Sequence, residues 1–210
     1  MQLGEYNGKT VELTQSDTIE VGLRARAARM FSINLAGFGT WIDHEIVFDH
    51  VAAINVALNS SRRLGAELSL SVEPLRWLRL QLDATYTDAR FVDSSGPVPG
   101  VPTFLGTLSG VIWNLRGFSA GLRFMYLSPR PLRYGAVAGG AAILDLNLSY
   151  RRHGFEIGLQ LDNMLNQEWH EGEFHYASWF DRSLPRTEIP SIHISAGPPF
   201  VARGTVTFWL

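Results

Sequence analysis

Alternating apolar and polar residues run through most of the chain and predict β-strands. The clearest case is the stretch from residue 64 to residue 91, LGAELSLSVEPLRWLRLQLDATYTDARF. Successive side chains of a strand point to opposite faces, so this period of two gives each arm one apolar and one polar face. Pro74 lies in the short connection between the arms, which suits a tight reversal. The stretch therefore predicts an antiparallel hairpin.

The same alternation recurs along the chain and predicts about nine strands in an all-β, antiparallel up-and-down arrangement. Residues 1–17 show no strong period and are interpreted as a loop or an incomplete N-terminal edge, with a weak strand at residues 10–13. Beyond the hairpin, the predicted strands are 19–26, 31–42, 104–114, 118–126, 144–151, 155–162 and 201–210, and the chain enters the hairpin from Ile54.

The predicted connections alternate between short and long. Short turns are expected at 27–29, 73–77, 114–117 and 152–154, and long loops at 43–53, 92–101, 129–141 and 166–199. Short turns on one side of a membrane and long loops on the other are typical of outer-membrane barrels, whose strands are of comparable length. A soluble β-sandwich predicts the same alternation, but its strands are usually shorter. Aromatic residues near the strand ends also resemble the interfacial girdles of barrels.

Composition narrows the function without assigning one. Hydrophobic residues make up 46% of the chain, charged residues make up 18%, and the net charge is -2, so binding to nucleic acid is not expected. There is no cysteine, and therefore no disulfide or thiolate metal site. The sequence has no apolar run long enough for a membrane-spanning helix. Its first residues, MQLGEYNGKTVELTQSD, lack the features of a secretory signal.

Several segments resemble the barrel of TonB-dependent outer-membrane receptors. The segment LDNMLNQEW at 161–169 is similar to the Asn-Leu-x-Asn-x-x-Tyr element of that family, with Met164 and Trp169 as departures. The last strand, with Phe208, Trp209 and Leu210, is similar to the family's C-terminal assembly signal. The remaining matching segments are EVGLRA at 20–25, FGTWIDHEIV at 38–47, Asn59 with RRLGAELSL at 62–70, YTDARF at 86–91 and VPGVP at 98–102.

This resemblance implies that residues 18–210 form the C-terminal portion of a receptor barrel in the outer membrane of a Gram-negative bacterium. Such receptors take up scarce nutrients, for example iron–siderophore complexes. The implied partners are outer-membrane lipid, the barrel-assembly machinery, the remaining strands and plug of the receptor, and TonB acting through the plug. Because no plug is recognisable, we expect a fragment that does not transport alone. A small outer-membrane pore and a soluble β-sandwich binding module are the alternatives.

The long loop after residue 165 carries the candidate ligand contacts. Its aromatic side chains offer stacking surfaces and its arginines offer charge for an anionic ligand. The expected contact residues are Trp169, His170, Phe174, Tyr176, Trp179, Arg182 and Arg186. An ordinary extracellular loop, with its aromatic side chains packed on each other, would give the same letters. The spacing of its histidines and glutamates fits no standard metal site.

No enzyme motif is present. The sequence has no GxSxG nucleophile elbow and no glycine-rich phosphate loop. Catalytic residues, cofactors and metals are therefore not expected, and the transported substrate is left open.

Overall fold

The architecture comes from a computed structural model of the chain, which describes residues 3–6, 9–12, 14–27, 30–49, 54–57, 60–93, 96–177, 183 and 190–209. The described strands are, in chain order, β1 (Leu3–Tyr6), β2 (Lys9–Glu12), β3 (Gln15–Ala27), β4 (Phe31–Asp43), β5 (Ile46–Asp49), β6 (Ile54–Ala57), β7 (Ser61–Leu75), β8 (Leu78–Phe91), β9 (Phe104–Leu115), β10 (Phe118–Leu127), β11 (Arg130–Pro131), β12 (Val137–Ala138), β13 (Ala141–Arg152), β14 (Phe155–Asp162), β15 (His170–Ala177), β16 (Pro190–Ala196) and β17 (Val201–Phe208). One 3-10 turn spans Arg133–Gly135.

Nine of these strands form a single antiparallel sheet in the order β17-β14-β13-β10-β9-β8-β7-β4-β3. Each strand pairs with its neighbours among the sheet strands along the chain, so the sheet is an up-and-down meander. The nine strands and their antiparallel pairing confirm the sequence prediction. The two terminal strands, β3 and β17, each have one neighbouring strand among the described residues.

The long connections carry small sheets of their own. Four two-stranded hairpins are described, β1–β2, β5–β6, β11–β12 and β15–β16. The pairing β5–β6 corrects the prediction that the chain runs from Ile54 directly into the sheet, because Ile54 pairs with Asp49 and the sheet strand begins at Ser61. Residues before 18 were expected to be a loop. The sequence interpretation also allowed an incomplete N-terminal edge with a weak strand at 10–13. The structure has the β1–β2 hairpin there, with β2 at Lys9–Glu12, followed by the start of β3, and Leu13 lies outside the described residues.

Short turns lie at one end of the sheet and long connections at the other. We name these the short-turn end and the long-loop end. The turns after β9 and β13 use two residues of positive φ, Arg116 (55°) with Gly117 (92°) and His153 (29°) with Gly154 (80°). Such pairs of left-handed residues match the twist of hairpin strands. Pro74 lies in a register shift between Val72 and Leu75, since proline cannot donate to the ladder.

The sheet has one apolar and one polar face, as the period of two requires. The apolar face exposes large side chains, with Val21 74%, Leu108 52% and Val206 60% exposed. The polar face carries Glu67, Asp83, Arg123, Asp145 and Gln160. A soluble sandwich would bury the apolar face, so this exposure argues against that alternative. None of the described helical segments has the length and apolar character required to span a bilayer.

Candidate functional site

Charged side chains on the polar face are held in pairs across neighbouring strands or along one strand. Arg123 on β10 donates to Asp145 on β13, with Nη2 2.8 Å from Oδ2, and the two residues are register partners. Arg151 and Glu156, which face each other on β13 and β14, lie 2.6 Å apart. Arg79 forms an ion pair with Glu73. Because its charged side chains form ion pairs and are partly exposed, this face is suited to contact with water and not with a hydrocarbon layer.

Near the long-loop end, this polar face gives way to a small hydrophobic core. The buried apolar side chains come from two sheet strands and two long connections, and they are Ala89, Val98, Leu132, Ala138, Ala141 and Ile143. The two connections are joined to each other, because the Gly100 N–H donates to the Pro131 carbonyl oxygen at 2.7 Å. The VPGVP loop and the loop after β10 therefore form one packed layer over the end of the sheet.

Asn163 anchors the start of the next long connection to this layer. Its side chain is 2% exposed and its backbone is left-handed, with φ 48°. The Nδ2 atom donates to the carbonyl oxygens of Gln167 at 2.9 Å and Pro198 at 3.1 Å, and Oδ1 accepts from the Gln167 N–H at 3.0 Å. The Asn163 N–H donates to Asp145 Oδ1 at 3.0 Å. This network closes the two ends of the long connection onto the sheet.

Trp169 belongs to the same closure. Its indole ring packs against Gly197, where a Cβ atom would overlap the ring, and its Nε1 donates to the Pro198 carbonyl oxygen at 3.1 Å. The Gly197 N–H in turn donates to the Trp169 carbonyl oxygen at 2.9 Å. Gly197 is thus a position where close approach, and not a turn, requires glycine. The ring that the sequence suggested as a stacking surface is partly occupied by intramolecular packing.

His170 and Glu173 connect the β15–β16 hairpin to the loop after β10. His170 Nδ1 lies 2.6 Å from Glu173 Oε1, and the Gly139 N–H donates to Glu173 Oε2 at 2.8 Å. Glu173 is 8% exposed, so its carboxylate is a buried acceptor with a partner on each oxygen. We call this arrangement the inter-loop bridge.

A cavity of about 360 Å³ lies beside the inter-loop bridge. Its lining combines two arginines, two glutamates, an aromatic ring and an imidazole ring, contributed by Arg130, Arg133, Glu171, Glu173, Phe174 and His175, together with Leu132, Gly172 and residues of the VPGVP loop. His175 Nδ1 is 2.7 Å from the Arg133 carbonyl oxygen, and its ring meets Tyr134 edge-on at 5.9 Å. Guanidinium groups beside aromatic rings can bind anionic and aromatic groups of a ligand, and the two carboxylates of the lining offset part of their positive charge.

The expected contact residues therefore have different roles in the structure. Phe174 is 50% exposed and lines the cavity, whereas His170 is part of the inter-loop bridge. Tyr176 stacks on His193 with ring centroids 3.8 Å apart. Trp179, Arg182 and Arg186 lie outside the described residues.

Sequence reasoning missed Arg130, Arg133 and Tyr134, which lie in the loop after β10. The strand order would have pointed to these residues. Strands β10, β13 and β14 are neighbours in the sheet, so the loop after β10 and the loop after β14 lie side by side at the same end. Within the described residues, no group of three or more His, Asp or Glu side chains could hold a metal ion.

The C-terminal strand pairs with β14 in register, with Phe208 opposite Phe155. The Trp209 N–H donates to the Gly154 carbonyl oxygen at 2.8 Å, and the Arg151 guanidinium lies over its ring at 4.7 Å. Leu210 lies outside the described residues. The end of the chain is thus attached to the short-turn end of the sheet.

A sequence model of the TonB dependent receptor-like β-barrel matches residues 4–164. No curated protein matches the sequence.

Several solved structures share the fold. The ferric-catecholate import receptor Fiu of E. coli K12 has 18% sequence identity and a TM-score of 0.71 over 99% of this chain and 30% of that protein. The ferric yersiniabactin uptake receptor FyuA of Yersinia pestis has 16% identity and a TM-score of 0.76 over 96% and 31%. The siderophore receptor PiuA of Acinetobacter baumannii has 15% identity and a TM-score of 0.68 over 92% and 28%. The chain thus spans less than a third of each of these proteins.

Proposed function

The chain belongs to the TonB-dependent receptor-like β-barrel family, and from this premise we propose that it forms the C-terminal part of an outer-membrane receptor barrel. Its task would be the energised uptake of a scarce nutrient, such as an iron–siderophore complex, across the outer membrane of a Gram-negative bacterium. The family is one of receptors and transporters, not of enzymes.

The observation that carries this proposal is the contrast between the two faces of the sheet. Exposed leucine, isoleucine and valine side chains cover one face, and paired charges cover the other. In a barrel wall, the first face contacts lipid and the second contacts the water-filled interior. The long-loop end then faces the outside of the cell, because loops there can grow without crossing the hydrocarbon layer.

The open edges of the sheet support the proposal that this chain does not transport alone. Strands β3 and β17 each use one edge for pairing among the described residues. In lipid, an unpaired backbone N–H or C=O group costs several kcal/mol, so each free edge requires a partner strand. The remaining strands and the plug of the receptor would close the barrel, and the plug would make the contact with TonB. The barrel-assembly machinery would insert the whole.

The long-loop end is the proposed ligand-contact region. The cavity beside the inter-loop bridge offers Arg130 and Arg133 for negative charge and Phe174 for stacking. The expected residues His170 and Tyr176 lie in the β15–β16 hairpin that forms one side of this region, and Trp169 directly precedes it. Trp179, Arg182 and Arg186 complete the proposed set.

Uptake of radioactive iron tests the function directly. Cells that carry the full-length gene should accumulate iron from at least one ferric siderophore in a panel that includes a ferric-catecholate complex, and uptake should stop when TonB is deleted. The Arg133→Gln variant should lower ligand affinity, whereas Arg62→Gln, at an exposed position that does not line the cavity, should not. A protein that fractionates as soluble, or TonB-independent leakage of small solutes, would contradict the proposal.

A further inference from the structure

Each described turn at the short-turn end carries an exposed arginine. These are Arg76 between β7 and β8, Arg116 between β9 and β10, and Arg152 before the turn from β13 to β14. No Asp or Glu occurs in residues 75–78, 115–118 or 151–155. Among the described residues, none of these three arginines forms an ion pair, whereas Arg79, Arg123 and Arg151 on the polar face each do. In the described part of the short-turn end, these three arginines therefore form a row without ion-pair partners, because the nearby Glu73 and Glu156 are paired with Arg79 and Arg151.

Arg116 occupies a backbone conformation that arginine does not favour. Its φ is 55°, in the left-handed region, and it is followed by Gly117 with φ 92°. In such two-residue turns, Asn, Asp or Gly is preferred at the first position, because other side chains clash with the backbone there. Asn or Gly would fit the fold better, so the presence of arginine points to a function of its charge.

An aromatic belt borders this row on the apolar face. Phe118 and Tyr150 have ring centroids 4.5 Å apart, and Tyr150 and Phe155 follow at 6.5 Å. Phe208 faces Phe155 across β14 and β17. Aromatic side chains collect at the headgroup level of a bilayer, and Arg152, two residues beyond Tyr150 on the same face, lies just past that level.

We propose that the short-turn end binds the phosphate groups of anionic phospholipids. The inference rests on the proposed function, because it requires the sheet to cross a membrane. Adjacent hairpin turns of one sheet lie about 10 Å apart, two strand spacings, so neighbouring arginines reach separate headgroups of one leaflet. A guanidinium group binds phosphate with two parallel hydrogen bonds. The headgroups supply the negative charge that the described part of the protein does not place beside these arginines.

The rim at the long-loop end lacks this property. Its exposed arginines on the apolar side, Arg62 and Arg90, are register partners and lie near acidic residues. Arg90 forms an ion pair with Asp88 at 2.8 Å. Asp17 lies two strands away from Arg62 in the same row of the sheet, with Trp41 as the register partner of both. Within the described residues, exposed arginines without acidic neighbours thus occur at the short-turn end. Arg62 and Arg90 at the long-loop end therefore serve as the matched pair for comparison.

Lipid selection in nanodiscs tests the proposal. The full-length protein is inserted into nanodiscs of phosphatidylcholine with a minor fraction of fluorescent phosphatidylglycerol, and energy transfer from protein tryptophan reports enrichment of the anionic lipid. The wild type should enrich phosphatidylglycerol. Since each arginine near a bilayer surface contributes about a fivefold preference, Arg116→Gln with Arg152→Gln should lower the enrichment by roughly five- to twenty-five-fold. Arg62→Gln with Arg90→Gln should keep it, and added salt should weaken it.

Each other outcome overturns the inference in a recognisable way. A wild type without enrichment, or an equal loss in both double variants, contradicts lipid binding at the short-turn end. If Arg116→Gln with Arg152→Gln kept the enrichment of phosphatidylglycerol but lost binding to a fluorescent polyglutamate peptide, the arginines would instead bind an acidic protein. Failure of the wild type to insert, measured separately by flotation, contradicts the proposed function together with this inference, whereas insertion without enrichment contradicts the inference alone.

Discussion

At the scale of single residues, Asn163 shows how one side chain organises the long-loop end. It is almost fully buried, and its amide satisfies backbone groups at Gln167 and Pro198, which belong to the two ends of one long connection. Backbone groups buried without a partner are costly, so such a residue is a structural requirement and not a ligand contact. The family element LDNMLNQEW therefore has a physical explanation in the closure of this loop.

Asn163→Ala should loosen the long-loop end. Alanine removes three side-chain hydrogen bonds and is disfavoured at φ 48°, so we expect a loss of about 2–4 kcal/mol in local stability. Limited proteolysis of the full-length protein in its membrane should then cleave the connection between β14 and β17 faster than in the wild type. Asn166→Ala is the control, because Asn166 also has a left-handed φ of 46° but its side chain makes a single hydrogen bond within the described residues, accepted from the Phe200 N–H at 3.4 Å. Equal cleavage of the two variants would contradict this role.

At the scale of elements, the strand is the unit that separates lipid from water. Strand β9 places Leu108 on the apolar face, where it is 52% exposed, and the adjacent Thr107 on the polar face opposite Asp83. Neighbouring positions thus meet different surroundings through the pleat alone. This difference gives the membrane interpretation a test within one strand.

Leu108→Arg should impair assembly of the full-length protein in the outer membrane. A lipid-facing arginine near the middle of the bilayer costs about 2–4 kcal/mol, which decreases the fraction of protein that shows heat-modifiable migration in electrophoresis. The same substitution at the neighbouring residue, Thr107→Arg, should have little effect, because the new charge lies near Asp83 on the polar face. If the two variants assembled equally well, the apolar face would not be the lipid face.

At the scale of the whole molecule, the alternation of connection lengths defines two ends, and the described part of the sheet has β3 and β17 as its edge strands. All long connections leave the sheet at one end, and two of them share a small hydrophobic core there. At the other end, the turns are short and basic. Orientation in the membrane and completion of the barrel are therefore separate questions, and each has its own experiment.

Labelling of single cysteines tests the orientation of the sheet in the membrane. The chain has no cysteine of its own, so in a full-length protein without other cysteines Glu171→Cys and Arg76→Cys provide one label each, at exposed positions of the long-loop and short-turn ends. A membrane-impermeant maleimide added to intact cells should label Glu171→Cys and should reach Arg76→Cys only after lysis. The reverse order of labelling would invert the proposed orientation and would remove the ligand-contact region from the cell surface.

Hydrogen exchange tests whether the edge strands β3 and β17 are paired with further strands. In the full-length protein within a membrane, the amides of β3 and β17 should exchange as slowly as those of the central strands β9 and β10, because partner strands protect both edges. Residues 1–210 produced alone should show fast exchange at these edges or fail to give a heat-modifiable species. Fast exchange in β3 of the full-length protein would mean that this edge remains open.

The local pattern of the sequence determined the sheet. Alternation in segments such as LRLQLDATYTDARF needs only neighbouring residues, so it predicted the nine strands, their two faces and the order of short and long connections. The short turns expected at 114–117 and 152–154 were predicted in the same local way, and Gly117 and Gly154 take the positive φ that these turns require. These features hold because the pleat imposes its period regardless of the rest of the fold.

Only the tertiary structure decided what the long connections do. Glu173 meets Gly139, 34 residues earlier, and His175 meets the carbonyl group of Arg133, 42 residues earlier. No local period encodes such contacts, so the sequence pointed to one loop where the structure assembles three, and it missed Arg130, Arg133 and the β5–β6 hairpin. The physical reason is that loop positions follow from which strands are neighbours in the sheet and from burial of their own apolar side chains, both of which exist only once the sheet has formed.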